Sequence, residues 1–314
     1  MNIAIDIMGG DYAPEEALKG VKVFFESEIN QDVNLVLIGN SKAAEPFMDL
    51  ILPYQNRYTF IESTQVIGMN EHPTKALKEK PDSSIAIGYK IMAQRKADAF
   101  IGAGNTGAML VGAVLNVKNI PGVIRPAIGA SVPKLSGGYG ILLDVGAVSD
   151  CKPEMLSQFG LLGSLFAEHV VGTTAPKVAL LNIGEEEEKG NALTQASYPL
   201  LKQNQRIRFI GNIEGRNVFD DEVDVIVCDG FTGNVVLKMA ESFYMMTQRK
   251  GLKDEFFDRF NYEIYGGTPI LGVNAPVVIG HGISNPKAIE MMIMLSKTMI
   301  ESDIIEKIKS AFNE

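Results

Sequence analysis

The 314-residue chain is poor in the residues that most often carry covalent or metal chemistry. It has two cysteines, Cys151 and Cys228, and three histidines, His72, His169 and His281. Two cysteines exclude a disulfide framework and suit a reducing compartment. The histidines are scattered and none stand at H-x-x-x-H spacing, so no metal site is expected. No G-x-S-x-G elbow occurs, and neither cysteine has a motif context or a nearby histidine, so no covalent nucleophile is evident. Basic charge is also short. Lys and Arg number 29 against 38 Asp and Glu, a formal net charge of −9, which argues against a general nucleic-acid binder. No apolar run approaches the roughly 18 residues of a membrane-spanning helix. Met1–Asp6 enters a strand at once, without a basic stretch ahead of an apolar one, so no signal peptide is expected. No repeat of fixed period, low-complexity segment or linker is visible.

What the chain does have is apolar substance and glycine: 46% hydrophobic residues and 31 glycines. Short apolar runs alternate with amphipathic stretches. Strands are expected at Asn2–Met8, Asn34–Ile38, Tyr58–Ile61, Ala99–Ile101, Val178–Ile183, Arg206–Ile210, Val223–Cys228 and Pro276–Ile279. Helices are expected at Pro14–Ser27, Ser41–Leu50 (with Pro46 able to divide it), Asp82–Lys96, Pro153–His169, Asn191–Lys202, Val235–Arg249, Lys253–Phe260 and Pro286–Ile308, and a further apolar helix runs to Val117. Pro126–Val132 and Tyr139–Val145, joined through Gly137-Gly138, read as a hairpin. The alternation predicts an α/β fold with a largely parallel sheet, an antiparallel portion and helices on both faces. One domain over 1–314 is the simplest organisation, with a helical excursion at about 235–261.

Glycine falls where strands end: Gly9-Gly10-Asp11, Gly104-Asn105-Thr106-Gly107, Asp144-Val145-Gly146, Gly184, Asp229-Gly230 and Gly280-His281. In open α/β sheets ligands bind beyond the carboxyl ends of strands, and glycine loops that open helices offer amide N–H groups to anions. Ordinary turns also use glycine, so the set of loops means more than any one. Gly102–Gly107 fits G-x-G-x-x-G, but no acidic residue stands about 20 residues on to hold a ribose, and a dinucleotide is disfavoured. The loop is read as a close backbone approach to an anion or substrate. Asp6, Asp11, Asp144, Asp150 and Asp229 lie near strand ends; orienting loops or capping helices is preferred there over binding Mg²⁺.

Two stretches stand out. After Val178–Ile183 come Gly184, the run Glu185–Glu188, Lys189 and Gly190. The acids read as a solvated run near a helix start. Lys189 has two readings: part of that run, or a point charge on a phosphate held by helix N–H groups. Asp229–Asn234 (Asp-Gly-Phe-Thr-Gly-Asn) offers donors without an acid–base group. That suits a developing oxyanion, unless Thr232 or Asn234 caps the helix. His281 is either a ligand contact or structural. Apolar stripes such as Val236, Met239, Ala240, Phe243 and Met246 read as core or subunit interface, or as a soft surface for a lipid.

Taken in order, Ala4–Asp11, Gly102–Ala108, Leu143–Ala147, Leu180–Gly190, Cys228–Asn234, Tyr265–Gly267 and His281–Asn285 make the whole chain resemble the phosphate acyltransferases of the PlsX type. The resemblance implies a Rossmann-like three-layer α/β/α sandwich similar to the isopropylmalate dehydrogenase type. It implies transfer of a fatty acyl group from acyl carrier protein to inorganic phosphate, giving acyl-phosphate for phospholipid synthesis. It implies a cytoplasmic homodimer loosely attached to the inner face of the membrane, with no metal or nucleotide cofactor. The family's functional lysine and asparagine fall on Lys189 and Asn234. Asp6, Gly9, Gly10, Asp11, Gly104, Asn105, Thr106, Gly107, Gly184, Thr232, Gly233, His281, Ser284 and Asn285 are the candidates for holding phosphate or substrate, Asn105 with a second donor for the carbonyl oxygen. Two departures stand out: Val148 replaces the family's usual Asn, and the segment from Val235 to Tyr265 is short. A dehydrogenase on a similar fold and a non-catalytic carrier-binding subunit are the rival readings.

Overall fold

The computed structural model describes residues 1–27 and 30–313. Eleven strands are seen among them: β1 Asn2–Asp6, β2 Asn34–Gly39, β3 Tyr58–Glu62, β4 Ala99–Gly102, β5 Ala127–Pro133, β6 Tyr139–Leu143, β7 Lys177–Asn182, β8 Arg208–Glu214, β9 Val225–Val227, β10 Thr268–Leu271 and β11 Val277–Ile279. The α-helices are α1 Glu15–Glu26, α2 Ser41–Ala44, α3 Pro73–Glu79, α4 Ser84–Ala93, α5 Thr106–Gly112, α6 Pro153–Phe166, α7 Ala192–Gln203, α8 Gly230–Lys250, α9 Glu255–Asp258, α10 Pro286–Glu301 and α11 Ile304–Asn313. The fold is a mixed α/β sandwich with parallel and antiparallel sheet regions. The chain packs into two compact units, Met1–Lys118 with Tyr262–Glu301, and Asn119–Asn261 with Ser302–Glu314.

In the first unit the strand order is β3-β2-β1-β4-β11-β10. All pairs are parallel except β10 with β11. β1, β2 and β4 are apolar along nearly their whole length and buried, as strands covered on both faces must be. Two elements escape the sequence reading. β10 is four residues long, too short for a period to show. α3, Pro73–Glu79, lies between the strand expected to end at Ile61 and the helix expected from Asp82, where no element is expected. Pro46 does divide its helix: α2 ends at Ala44 and a 3₁₀ segment, Glu45–Leu50, follows. Asn40 caps α2, accepting the Ala43 N–H at 3.0 Å.

The second unit runs β5-β6-β9-β7-β8. β5 and β6 form the expected antiparallel hairpin, and β6, β9, β7 and β8 are parallel. β8 does not stop at Gly211-Asn212. Gly211 takes a φ of +107°, and the register steps from Val178↔Phe209 to Leu180↔Asn212, so a bulge carries the strand on to Glu214. The long final helix is two helices, α10 and α11, parted at Ser302-Asp303, where Asp303 has a φ of +53°.

In the first unit α1 packs closely on α10. A Cβ placed on Gly20 would lie 2.5 Å from Ile289 Cβ. These two helices follow β1 and β11, so their spacing sets the loops at Gly9–Asp11 and Gly280–Asn285, joined by the Asp11 N–H donating to Gly282 O at 2.7 Å. Gly20→Leu is expected to lose about 1–3 kcal/mol through overpacking, read as a fall in the thermal midpoint. An unchanged midpoint would mean that this contact is not tight.

Candidate active site

In the first unit the loops after β1, β4 and β11 lie side by side at the carboxyl edge. Gly9 and Gly104 are glycine because the two backbones touch: a Cβ on Gly9 would sit 2.5 Å from Gly104 N. Asp6 is buried beneath them and accepts the Met8 N–H at 2.9 Å. Burial raises its carboxyl above the ordinary value, opposed by hydrogen bonds from Ser84, Met8 and Gly9. It therefore orients the loop from below. Asn105 is also buried. Its Oδ1 accepts the Ala108 N–H at 2.9 Å and caps α5, while its Nδ2 faces the carbonyls of Gly68 at 3.0 Å, Met69 at 3.1 Å and Glu71 at 3.0 Å. Those bonds occupy the N–H groups that would otherwise serve a substrate carbonyl, which corrects the expectation of a second oxyanion donor here.

Thr106 is exposed on the first turn of α5 and Asp11 is exposed after Gly10, whereas Gly107 packs on the Pro73 ring. His281 stacks on Tyr262 with ring centroids 5.1 Å apart. Ser284 is buried, its hydroxyl donating to His281 O at 2.6 Å. Asn285 accepts the Ala288 N–H at 2.9 Å at the start of α10. Ser284 and Asn285 thus shape the loop that presents His281.

In the second unit the loops after β6, β9 and β7 share one edge because those strands are parallel neighbours. Asp144 anchors the first. It is fully buried and accepts the N–H groups of Ile128, Gly146, Ala147 and Val148 at 2.7–3.1 Å. Burial holds its carboxyl above the ordinary value, opposed in part by these amides. Val148 contributes only backbone, its carbonyl accepting the Gly230 N–H at 2.8 Å.

Asp229 to Asn234 is not a loop. Asp229 caps α8, accepting the Thr232 N–H at 2.9 Å and the Thr232 hydroxyl at 2.7 Å. The cap is therefore Asp229 rather than Thr232 or Asn234, and Gly230 to Asn234 already belong to the start of the helix. Gly233 is buried against the Asp144 carbonyl, where a Cβ would lie 1.9 Å away. That contact turns Asn234 outward, and it is exposed.

The loop after β7 is a closed turn. The Lys189 N–H donates to Glu186 O at 3.1 Å, Asn182 Nδ2 to Lys189 O at 3.1 Å, Gln195 Nε2 to Glu188 O at 2.7 Å, and Asn212 Nδ2 to Glu186 O at 2.8 Å. Of the four glutamates, Glu187 has a partner: it pairs with Lys202, and the Tyr198 hydroxyl donates to it at 3.3 Å. The Lys189 stem lies against Gly184, which is buried. Lys189 is exposed and is in no ion pair among the described residues. Apolar side chains stand exposed beside both candidates: Ile183 (79%), Phe231 (68%) and Val235 (54%). Asn182, Gln195 and Asn212 are not legible as site residues, because each acts by tying a loop carbonyl, 7 residues away for Asn182 and Gln195 and 26 for Asn212.

The described residues contain no cluster of three or more His, Cys, Asp or Glu able to hold a metal ion. No helix among them is long and apolar enough to cross a membrane. Cys151 donates to Val148 O at 3.3 Å, and burial, with Asp144 nearby, pushes its thiol up to about 12. Burial also raises Cys228 well above its ordinary value.

The polar loops thus gather beyond the carboxyl ends of parallel strands, where open α/β sheets bind their ligands. The chain belongs to the phosphate acyltransferase family. It is 40% identical to the phosphate acyltransferase of Halothermothrix orenii over 100% of this chain and 99% of that one. It is 43% identical to that of Desulfitobacterium hafniense over 98% and 97%. A family described as "Fatty acid synthesis protein" matches residues 1–256. Among solved structures it is similar in fold to a phosphotransacetylase from Streptococcus pyogenes, with a TM-score of 0.65 at 14% identity, over 98% of this chain and 94% of that one.

The raised Cys151 thiol carries a sign. The unfolded chain releases that proton near 9 while the folded chain holds it to about 12. Its stabilising contribution is full below about pH 9 and is lost as pH rises toward 12. Thermal melts between pH 8 and 10.5 should fall less steeply for Cys151→Ser than for the parent chain; identical slopes would show that the thiol is not protected.

Proposed function

We propose that this chain transfers a fatty acyl group from the thioester of acyl carrier protein to inorganic phosphate, giving acyl-phosphate for phospholipid synthesis. The observation that carries the site assignment is the placement of Lys189 and Asn234 after β7 and β9, adjacent parallel strands, both exposed. Lys189 holds phosphate. A phosphate oxygen attacks the thioester carbonyl, the new C–O bond forms, and the tetrahedral oxyanion accepts a hydrogen bond from Asn234. The C–S bond then breaks and the carrier leaves as its thiol, protonated from phosphate or solvent. Positioning supplies much of the rate, since phosphate is itself the nucleophile. The exposed Ile183, Phe231 and Val235 suit an acyl thioester passing over them. The reaction so written draws on no metal or nucleotide.

Gly9, Gly10, Asp11, Gly104, Thr106, Gly107, Gly184, Thr232, Gly233 and His281 are proposed to shape or line the phosphate and substrate sites, with Asp6, Asn105, Ser284 and Asn285 acting beneath them. The fold is proposed to be the Rossmann-like three-layer sandwich of the isopropylmalate dehydrogenase type, and 1–314 to act as one functional domain with the helical segment 235–261 as an excursion. Acyl carrier protein as donor, a homodimer, and a cytoplasmic site of action with peripheral contact to the inner face of the membrane belong to the same proposal. Carrier protein is acidic and so is this chain, so docking calls for a local basic patch. Arg249 and Lys250, in the last turn of α8, are the proposed centre of it.

The direct test incubates acyl carrier protein thioester with and without phosphate and follows acyl-phosphate and free carrier thiol. Phosphate-dependent loss of thioester supports the reading, and carrier binding with an intact thioester would make the chain a non-catalytic subunit. A change in NADH absorbance with candidate substrates would favour a dehydrogenase instead. Lys189→Ala and Asn234→Ala are each expected to lower kcat/KM by about a hundredfold or more while the fold survives; near-normal turnover in either removes that residue from the mechanism. Reversing charge at Arg249 and Lys250 should raise the KM for the carrier and leave that for phosphate unchanged. An unchanged carrier KM would place docking elsewhere.

A further inference from the structure

We propose that Asn212, on β8, is a positioning residue for Lys189, holding its loop in the shape that binds phosphate. The proposal rests on the reading of Lys189 given above. Lys189 is exposed and in no ion pair among the described residues, so little holds its side chain beyond the Gly184 contact. The backbone beneath it must then set where the ammonium starts. Besides the bonds from Asn182 and Gln195, the turn is held at the Glu186 carbonyl, which accepts both the Lys189 N–H at 3.1 Å and Asn212 Nδ2 at 2.8 Å. The first bond closes the turn, and the second fastens the turn to the neighbouring strand.

The strand is bent to make that second bond possible. A regular ladder from Val178↔Phe209 would put Gly211, not Asn212, opposite Leu180. The extra residue at the bulge reverses the side-chain alternation beyond it, so Asn212 reaches the loop face. Asn212 is buried, and its Oδ1 has no hydrogen-bond partner among the described residues. A buried acceptor left unpaired costs stability. An apolar side chain on the bulge would avoid that cost, so the amide is held there for its donor. A residue serving only the strand has no use for either the bulge or the orphaned oxygen.

The test measures KM for inorganic phosphate and for the acyl thioester, and kcat, in Asn212→Ala, Asn212→Asp and Lys189→Ala and in the double variant with Ala at 189 and 212. Losing one hydrogen bond from the loop anchor is expected to raise the phosphate KM about tenfold in both position-212 variants, with the thioester KM unchanged. In the Asp variant protonation restores a donor. Its phosphate KM, taken relative to the parent chain at each pH, should therefore recover as pH falls. In the Lys189→Ala background the position-212 change should add less than twofold, because Asn212 acts through Lys189. An unchanged phosphate KM in both position-212 variants overturns the proposal, as does a full tenfold addition in the double variant or an equal rise in both KM values. If Lys189→Ala itself leaves the phosphate KM unaltered, the reading of Lys189 fails first, and that result is distinct from a functional Lys189 with an indifferent Asn212. Circular dichroism of each variant confirms folding, and the isosteric Asp variant carries the test should the Ala variant unfold.

Discussion

Buried polar side chains that must find their hydrogen bonds inside the protein organise the loops. Asp144 shows the constraint best. With no exposure to water, its carboxylate takes the amides of Ile128, Gly146, Ala147 and Val148. A buried carboxylate lacking such donors would be very costly, so the backbone folds around it. The start of α8 then packs on the same residue through Gly233, which orients Asn234. In the first unit Asp6 and Asn105 do the same work for the loops after β1 and β4, and Asn105 also draws in residues 68–71.

This division separates the groups that hold the site from those proposed to act in it. The holders are buried and their hydrogen bonds are spoken for: Asp6, Asn105, Asp144, Ser284. The proposed actors, Lys189 and Asn234, are exposed and follow adjacent parallel strands. Preorganised donors are effective because they need not reorient when charge develops, and here rigidity comes from carbonyls and amides tied across sequence. The turn that carries Lys189 is fastened through Asn182, Gln195 and Asn212, from three different elements.

Much of the fold was legible. Short apolar runs mark β1, β2, β4 and β7, and Gly137-Gly138 marks the β5–β6 hairpin, because period and turn chemistry are local properties. β10 is four residues with no pattern of its own, and α3 follows His72 in a stretch whose sequence does not mark it as a helix. Gly211-Asn212 as a dipeptide reads as a turn that would end β8; a partner strand makes it a bulge instead. Asp229–Asn234 read as a loop for a like reason, since the same residue types cap a helix and build a turn.

The sequence by itself determined the alternation of strand and helix, the placing of glycine and small polar residues after strands, and the motifs that carry membership of the phosphate acyltransferase family. Each is a pattern of neighbours along the chain. Only the tertiary structure decided which of those polar residues face inward and which face water. It used Asn105 as a tether, turned Asp144 into an anchor, left Lys189 and Asn234 exposed, and brought Asn212 to the Lys189 turn. The reason is that a buried hydrogen bond is satisfied by whichever partner the fold brings near, and sheet order and register, not spacing in the chain, choose that partner.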